Sequence, residues 1–220
     1  MKATVVIPTL NERECIAKVL QDIPKEAVHE VLIVDGHSTD GTPEIVRQLG
    51  YRVITQPGKG YGDAINTGVA HADGDVIITM DADGSYNADD IPRLLKKLEE
   101  GCDIVYGSRY AKGSGSDDDT LVSYIGNKVF TFLLNILHGV KISDSLFLYI
   151  AAKKRVFETI EMKSQNFEYC IEFPIKAHKA GFTYTEIPSR EKKRTGGDSK
   201  VNAVYHGFRI LWVLLKEIRT

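Results

Sequence analysis

Short runs of β-branched and other apolar residues alternate with segments of helical periodicity through the first half of the chain. Apolar runs that end in turn-forming residues are typical of buried strands in a parallel sheet. These runs are Ala3–Ile7, Val28–Val34, Tyr51–Thr55, Asp75–Met80 and Ile104–Tyr106. Between them the apolar residues recur at helical spacing, as in Ile16, Val19, Leu20 and Ile23. The alternation predicts βαβ units, and therefore an α/β fold with a mostly parallel central sheet flanked by helices.

The second half of the chain is less regular. Strands are expected at Asp144–Ile150 and Tyr184–Ile187, with a helix at Ile171–Ala180 between them. Two polar stretches, Ala111–Thr120 and Arg190–Lys200, combine small residues with many charges. Because such stretches have almost nothing to bury, we expect mobile loops that close over a ligand.

Two later segments, Leu121–Val140 and Val201–Ile218, carry broad apolar faces. In the second segment the apolar side chains share one side of a predicted helix: Val201, Val204, Tyr205, Phe208, Leu211, Trp212 and Leu215. Such a stripe is typical of a helix packed on a core. Trp212, flanked by Arg209 and Lys216, equally suits a helix that lies in a membrane interface. We therefore expect residues 201–220 to form an amphipathic C-terminal helix.

Length and composition narrow the functional classes. The 220 residues suffice for one large α/β domain, and a formal net charge of −2 gives no electrostatic basis for a nucleic-acid partner. The three cysteines are odd in number and lack CxxC spacing, so neither a zinc site nor a disulfide framework is indicated. Three unpaired cysteines are typical of a protein in a reducing cytosol. We expect no signal peptide, and no apolar run approaches the ~20 residues of a membrane-spanning helix.

The strongest chemical signal follows the predicted strand at Asp75–Met80. Asp81 and Asp83 are separated by one residue and precede Gly84. The carboxyl ends of strands in open α/β sheets form the crevice where ligands bind. Two carboxylates there repel each other unless a cation lies between them, and Mg²⁺ commonly takes one or two carboxylates plus water and phosphate oxygens. The pair predicts a divalent-metal site; an acidic turn that caps the next helix is the alternative.

Two further stretches suggest an anionic ligand. Gly58-Lys59-Gly60 resembles a phosphate-binding loop, although it lacks the spacing of a Walker A motif, and a plain turn explains it as well. The basic run around Arg194 contains glycines that a rigid salt-bridged surface would not need. Those glycines favour closure over something negatively charged.

The order of the motifs is more specific than any one of them. The succession VVIPTLNERE, VDGHSTDGT, GKGYGDAINTG, ADGDVIITMDADG and GSRY resembles the family 2 glycosyltransferases of the glycosyltransferase A fold. Within that family it looks most like the dolichyl- or polyprenyl-phosphate sugar synthases, such as the dolichyl-phosphate mannosyltransferases. The likeness is strong over residues 2–110 and looser to about residue 200. It implies one Rossmann-like catalytic domain at 1–200, with a nucleotide-sugar-binding half at 1–110 and an acceptor-binding half at 111–200.

This resemblance also implies an activity. The expected reaction moves a hexose, mannose or glucose, from a GDP- or UDP-linked donor to a dolichyl or polyprenyl phosphate, with inversion and with Mg²⁺ or Mn²⁺ as cofactor. The implied donor-binding residues are Pro8, Leu10, Asn11, Glu12, Asp35, Lys59, Asp81, Ala82 and Asp83, of which Asp35 would recognise the base and Asp81 and Asp83 would bind the metal. The implied catalytic residues are Asp83, Arg109, Arg194 and Lys200. The acceptor places the protein at the cytoplasmic face of a membrane, as a peripheral enzyme or with a membrane-anchored protein partner.

The chain departs from the family pattern at three places. Gly84-Ser85 follows the aspartate pair, the acceptor-side arginine expected near 123–127 is absent with Lys128 the nearest cation, and residues 145–149 differ from the family's sequence. Two other functions therefore stay open. One is transfer to a sugar hydroxyl, which needs a general base such as Asp144, Glu168 or Glu172. The other is a non-catalytic nucleotide-sugar-binding subunit.

Overall fold

The chain folds into strands and helices in the predicted alternation. A computed structural model describes residues 1–196 and 203–218. The strands are β1 (Ala3–Thr9), β2 (Glu30–Asp35), β3 (Arg52–Thr55), β4 (Val76–Thr79), β5 (Ile104–Ser108), β6 (Gly115–Ser116), β7 (Ile150–Lys153), β8 (Tyr184–Pro188) and β9 (Arg190–Glu191). The helices are α1 (Ile16–Asp22), α2 (Thr42–Gln48), α3 (Tyr61–His71), α4 (Ile91–Glu99), α5 (Leu121–His138), α6 (Lys154–Thr159), α7 (Tyr169–Lys179) and α8 (Ala203–Lys216), with a 3₁₀ turn at Ala88–Asp90.

Seven strands form one sheet in the order β3-β2-β1-β4-β7-β5-β8. Strand β7 runs antiparallel to β4 and β5, and the other neighbours in this sheet are parallel. The α/β class and the mostly parallel sheet predicted from the sequence are therefore confirmed. A separate two-stranded ladder joins β6 and β9.

Apolar clusters cover both faces of the sheet. Because successive side chains of a strand point to opposite faces, Val6 and Ile77 join the cluster that packs against α3, α7 and α8. Val5 and Ile78 join the cluster beneath α1, α2 and α4. Burial on both faces explains why the strands are apolar at nearly every position.

The strand predicted at Asp144–Ile150 is wrong, because β7 begins only at its last residue. The apolar residues ahead of β7 fill an aromatic cluster instead. The ring centroids of Phe147 and Tyr149 lie 4.5 and 5.1 Å from that of Tyr86. A short apolar run looks the same in sequence whether it pairs in a sheet or packs its rings in a connection.

The predicted amphipathic C-terminal helix forms as α8, but the described residues of its predicted apolar stripe, Tyr205, Phe208, Leu211, Trp212 and Leu215, are exposed and do not pack on the core. Ile210 and Leu214 are buried against α5 and α7, whereas Phe208 and Trp212 on the other side of α8 are 71% and 61% exposed. Within the described ranges, no helix combines the length and the apolarity needed to cross a membrane. The expected division between a catalytic domain and this helix falls in residues 197–202, outside the described ranges, and stays a prediction.

Asp103 ties three neighbouring elements together at the amino end of β5. Its carboxylate accepts hydrogen bonds from Lys153 at 3.0 Å, from Arg155 at 2.6 Å and from the Thr183 hydroxyl at 2.9 Å. Burial alone would raise the pKa of Asp103, but these donors outweigh burial and hold that pKa well below its usual range.

We expect Asp103→Asn to lower the free energy of unfolding at neutral pH by about 2 kcal/mol, because Lys153, Arg155 and Thr183 lose a charged acceptor. The folded-state pKa lies below the unfolded one, so this stability is present above pH ~4 and is lost as the pH falls toward the folded value. Urea unfolding at pH 7 and at lower pH measures it, with the exposed Asp22→Asn as control. A mutational loss that stays constant down to pH 2 would contradict this assignment.

Candidate functional site

The carboxyl ends of the parallel strands converge on one edge of the sheet, and a cavity of about 550 Å³ opens there. Eight of the residues expected to bind the donor or act in catalysis line this cavity: Pro8, Leu10, Glu12, Lys59, Asp81, Ala82, Asp83 and Arg194. They come from four separate parts of the chain, and the sheet brings them together. Lys200 lies outside the described residues.

Asn11 and Asp35 support the cavity from behind rather than lining it. The Asn11 backbone has a left-handed φ of 57°, and its side-chain oxygen accepts a hydrogen bond from the Thr39 amide at 2.8 Å. The Asp35 carboxylate is buried and accepts from the Ser38 amide at 3.0 Å. The first bond joins the loop after β1 to the loop after β2, and the second stabilises the turn at the end of β2. Recognition of a base by Asp35 stays a prediction.

The glycines around Lys59 have a packing reason. Gly60 has a φ of 96°, and a Cβ there would lie 2.3 Å from the Gln165 carbonyl oxygen. A Cβ on Gly62 would lie 2.3 Å from the Ser164 carbonyl oxygen. These positions accept only glycine because residues 164–166 approach so closely, while the Lys59 side chain lines the cavity. The segment is thus a tightly packed turn that presents a cation.

Asp81 and Asp83 face the cavity as a like-charged pair. An oxygen of Asp81 accepts from the Tyr61 hydroxyl at 2.9 Å, and an oxygen of Asp83 accepts from the Ser85 amide at 2.9 Å. The nearest described guanidinium nitrogen, on Arg194, is 3.9 Å from Asp83. Burial, and then the charge of Asp83, raise the pKa of Asp81 to about 7. Such a pair is more stable with a cation beside it.

The residues around this pair fit a divalent ion that takes few of its ligands from the protein. Among the side chains that the structure describes, no group of three or more histidine, cysteine, aspartate or glutamate residues converges on one point. A metal bound by Asp81 and Asp83 would therefore take its remaining ligands from water and from phosphate oxygens. That ligand set is typical of Mg²⁺.

Arg109 does not line the cavity. Its guanidinium forms two bonds to Asp144, at 2.8 and 3.0 Å, and a further bond to Glu191 at 3.2 Å, with only 10% of the side chain exposed. Asp144 also accepts from the Asn127 amide nitrogen at 2.6 Å. In this structure Arg109 pairs with two buried carboxylates and connects α5 and β9 to the end of β5. Its predicted contact with a diphosphate remains a prediction.

The two polar stretches expected to be loops are joined to each other. Besides the β6–β9 ladder, the Asp117 amide donates to the Glu191 carbonyl at 2.9 Å, and Arg194 pairs with Asp118 at 3.1 Å. The Thr195 amide donates to the Asp83 carbonyl at 2.9 Å. The sequence analysis predicted two mobile loops and no contact between them, and the structure connects residues 111–120 and 190–196 into one unit beside the aspartate pair. We name this unit the strap; its mobility stays a prediction.

The three carboxylates considered as general bases are all engaged elsewhere. Asp144 is bound to Arg109, Glu168 pairs with Arg209 at 2.5 Å, and Glu172 accepts from the Lys163 amide at 2.9 Å. None of the three lines the cavity. This arrangement disfavours these three carboxylates as general bases.

Sequence reasoning assigned no role to several residues that line the cavity. They are Gly36, His37, Gln56, Tyr61, Ala64, Asn166, Phe167 and His206. Tyr61 stood inside the glycine-rich motif and was visible there as an aromatic residue. Phe167 and His206 come from the second half, where the spacing of apolar residues gives no indication of contact with the first half.

Comparison with known families agrees with this geometry. Residues 4–161 match the model of the family described as "Glycosyl transferase family 2". The chain belongs to glycosyltransferase family 2. This membership confirms the resemblance drawn from the order of the motifs.

Curated relatives cover most of this glycosyltransferase. A dolichyl-phosphate hexose transferase from Haloferax volcanii is 34% identical, over 87% of this chain and 83% of that protein. A dolichol-phosphate mannosyltransferase from Pyrococcus furiosus is 30% identical, over 98% of this chain and 64% of that protein. Glycosyltransferase AglJ of Haloferax volcanii is 31% identical, over 98% of this chain and 72% of that protein.

Solved structures share the fold. Glucosyl-3-phosphoglycerate synthase from Mycobacterium tuberculosis, in complex with phosphoglyceric acid, superposes with a TM-score of 0.80 at 19% identity, over 99% of this chain and 80% of that one. The same synthase with Mn²⁺, UDP and glucosyl-3-phosphoglycerate gives a TM-score of 0.78 at 20% identity, with the same coverage. The predicted glycosyltransferase A fold is thus confirmed.

If the strap is one unit, a change in one half should reach the other half. Glu191→Gln weakens the contacts of this side chain with Arg109 and Ser116. We expect amide exchange to accelerate about tenfold in both 111–120 and 190–196, corresponding to roughly 1.4 kcal/mol. Hydrogen-exchange mass spectrometry measures both ranges, with the exposed Glu100→Gln as control. Acceleration confined to 190–196 would show two independent loops.

Proposed function

We propose that this glycosyltransferase moves a hexose from a nucleoside-diphosphate sugar to the phosphate of a polyprenyl or dolichyl lipid, with inversion at the anomeric carbon. The observation that carries the proposal is the Asp81–Asp83 pair, which faces a cavity at the carboxyl edge of the sheet with Lys59 and Arg194 in the same wall. That combination suits a ligand with a sugar, a base and two phosphates. The names of the Haloferax and Pyrococcus relatives support the lipid phosphate as acceptor.

The donor is expected to lie along the cavity with its base toward the loops after β1 and β2. Leu10, His37 and Gln56 line that end, with Asp35 behind them. The diphosphate then falls between Lys59 and Arg194, whose positive charges oppose the charge on the leaving nucleotide. UDP and GDP are both candidates. UDP-glucose and UDP occur in complexes of the Mycobacterium tuberculosis synthase, which shares the fold.

A divalent cation, Mg²⁺ or Mn²⁺, would be held by Asp81 and Asp83. When bound it would neutralise charge that builds on the departing diphosphate. Both ions occur with UDP in structures of the Mycobacterium tuberculosis synthase. The protein's own part is to present two carboxylates, fixed by Tyr61 and by the Ser85 amide, at the mouth of the cavity.

The transfer step needs no proton acceptor from the protein. A phosphate oxygen of the lipid forms the new bond to the anomeric carbon while the bond from that carbon to the diphosphate oxygen breaks, and the electron pair leaves with the nucleotide. A phosphate is already ionised at neutral pH. The engagement of Asp144, Glu168 and Glu172 in other contacts favours such an acceptor over a sugar hydroxyl.

A lipid phosphate lies at a bilayer surface, and the protein has a face that suits one. Helices α5 and α8 pack side by side and expose large apolar side chains: Leu121, Val122, Ile125, Val129, Phe132, Ile136, Tyr205, Phe208, Trp212 and Leu215. Lys216 lies 4.6 Å from the Trp212 ring centroid, where it can meet anionic head groups. We call this surface the apolar face. We propose that it docks the enzyme peripherally on the cytoplasmic side of a membrane, with or without an anchored protein partner.

Asp83→Asn removes an anionic ligand and keeps its shape. We expect turnover to fall about a hundredfold or more, equivalent to roughly 3 kcal/mol of transition-state stabilisation, with the fold intact. The assay uses labelled UDP- and GDP-sugars with a short polyprenyl phosphate and Mg²⁺ or Mn²⁺. Asp73→Asn, an exposed aspartate at the other end of β4, is the matched control. Near-wild-type turnover of Asp83→Asn would show that the site is misassigned.

Trp212 is the only tryptophan, so its fluorescence reports on α8. Anionic vesicles should shift its emission to the blue, because an exposed indole enters a less polar environment. Phe208→Glu should weaken vesicle binding about tenfold and reduce transfer to long-chain acceptors more than to short ones. Leu49→Glu, at an exposed apolar residue outside the apolar face, is the control. An unchanged spectrum together with no co-sedimentation would remove the docking proposal.

A further inference from the structure

Three aromatic rings form a row between Asp81 and helix α8. The Tyr61 hydroxyl donates to Asp81 at 2.9 Å. The Tyr61 ring stacks on Phe167, with centroids 5.2 Å apart and an interplanar angle of 26°. Phe167 in turn meets the edge of His206, with centroids 5.1 Å apart. The metal-site carboxylate and the C-terminal helix are therefore connected through side chains in direct contact.

The position of Tyr61 is set by the same segment that carries Phe167. Tyr61 begins α3, and the close approach of residues 164–166 to Gly60 and Gly62 leaves the start of this helix little room to shift. The Asp63 amide donates to the Gln165 carbonyl at 3.2 Å. A displacement of residues 164–167 must therefore move Tyr61 or break these contacts.

Helix α8 contacts the other end of the row through His206 and Arg209. Arg209 pairs with Glu168 at 2.5 Å, directly beside Phe167, and His206 lines the cavity. Phe208 and Trp212 of the same helix are exposed and belong to the apolar face. Within two turns, α8 thus contacts both the cavity and the surface proposed to dock on lipid.

We propose that Tyr61 is a positioning residue for Asp81, and that the row Tyr61–Phe167–His206 couples the apolar face of α8 to binding of a nucleoside diphosphate with a divalent cation. The inference rests on the proposed function in taking the cavity as the site for that ligand. A hydroxyl that donates to one carboxylate oxygen limits rotation of the Asp81 side chain, so its orientation depends on where Tyr61 lies. Coupling of this kind is reciprocal: a lipid surface that favours the binding-competent position of α8 tightens ligand binding, and the ligand tightens docking by the same factor.

The first experiment measures the affinity for Mn²⁺ with UDP, and with GDP, by titration calorimetry. Tyr61→Phe keeps the stacked ring and removes only the donor, so affinity should fall about fivefold, as expected for one lost hydrogen bond. Tyr51→Phe is the matched control, because it also removes a hydroxyl bond, to the Leu20 carbonyl at 3.1 Å, but lies outside the cavity. Equal affinities for Tyr61→Phe and the wild type would overturn the positioning role.

The second experiment tests the coupling by repeating the titrations with anionic phosphatidylglycerol vesicles. In the wild-type protein the vesicles should tighten binding of Mn²⁺ with nucleotide about threefold. Phe167→Leu interrupts the row while leaving the apolar face intact, so vesicle co-sedimentation should persist and the tightening should disappear. Phe182→Leu, another partly buried ring packed on the same core cluster, is the control and should keep the tightening. Circular dichroism checks that each variant is folded.

The outcomes separate this inference from the proposed function. Loss of affinity in Tyr61→Phe and loss of vesicle-induced tightening in Phe167→Leu support the inference, even if no sugar reaches a polyprenyl phosphate. In that case only the proposed acceptor fails. Vesicles that leave wild-type nucleotide affinity unchanged, or that tighten it equally in Phe167→Leu, would overturn the coupling. Failure of the wild-type protein to bind Mn²⁺ with either nucleotide would overturn both.

Discussion

The repulsion between two carboxylates organises this molecule. Asp81 and Asp83 emerge from the end of β4 where the sheet partly removes them from water, so their like charges disfavour the ionised pair. Three neighbouring groups contact the pair: the Tyr61 hydroxyl of α3, the Ser85 backbone amide and the Arg194 guanidinium of the strap. The negative charge that these neighbours leave uncompensated suits a cation, and the cation in turn suits a phosphorylated ligand. The cavity, the basic side chains and the strap are all understandable as parts of that compensation.

Much of the first half was predictable because its signals are local. Apolar runs identified the strands, and the rule that parallel strands end at one edge brought Leu10, Lys59 and Asp83 to one place. The second half depends on contacts between distant residues. Arg109 was assigned to a phosphate because its motif suggested it, but its partner Glu191 lies 82 positions away and could not be read from spacing. The same holds for the ring of Phe167 beside Tyr61.

The C-terminal stripe is not the side of α8 that packs on the core, because its described members Tyr205, Phe208, Leu211, Trp212 and Leu215 are exposed. A sequence pattern gives the apolar side of a helix as one arc, and it does not say what covers each part of that arc. In the structure α8 buries Ile210 and Leu214 against the catalytic core and leaves Phe208 and Trp212 exposed. One helix thus serves as core on one side and as an uncovered surface on the other. Because α8 carries apolar residues on both sides, residue types alone could not identify its buried side.

The antiparallel strand β7 has a consequence for how the chain is divided. It occupies the position between β4 and β5, so the strand that carries the aspartate pair and the strand that precedes Arg109 never pair with each other. Without β7 a gap of about 10 Å, two strand spacings, would separate them. The motifs that define the family lie mostly before residue 110, yet that stretch alone cannot close its own sheet. The family match over residues 4–161 accordingly includes β7, and the first 110 residues complete their sheet only with this strand from the second half.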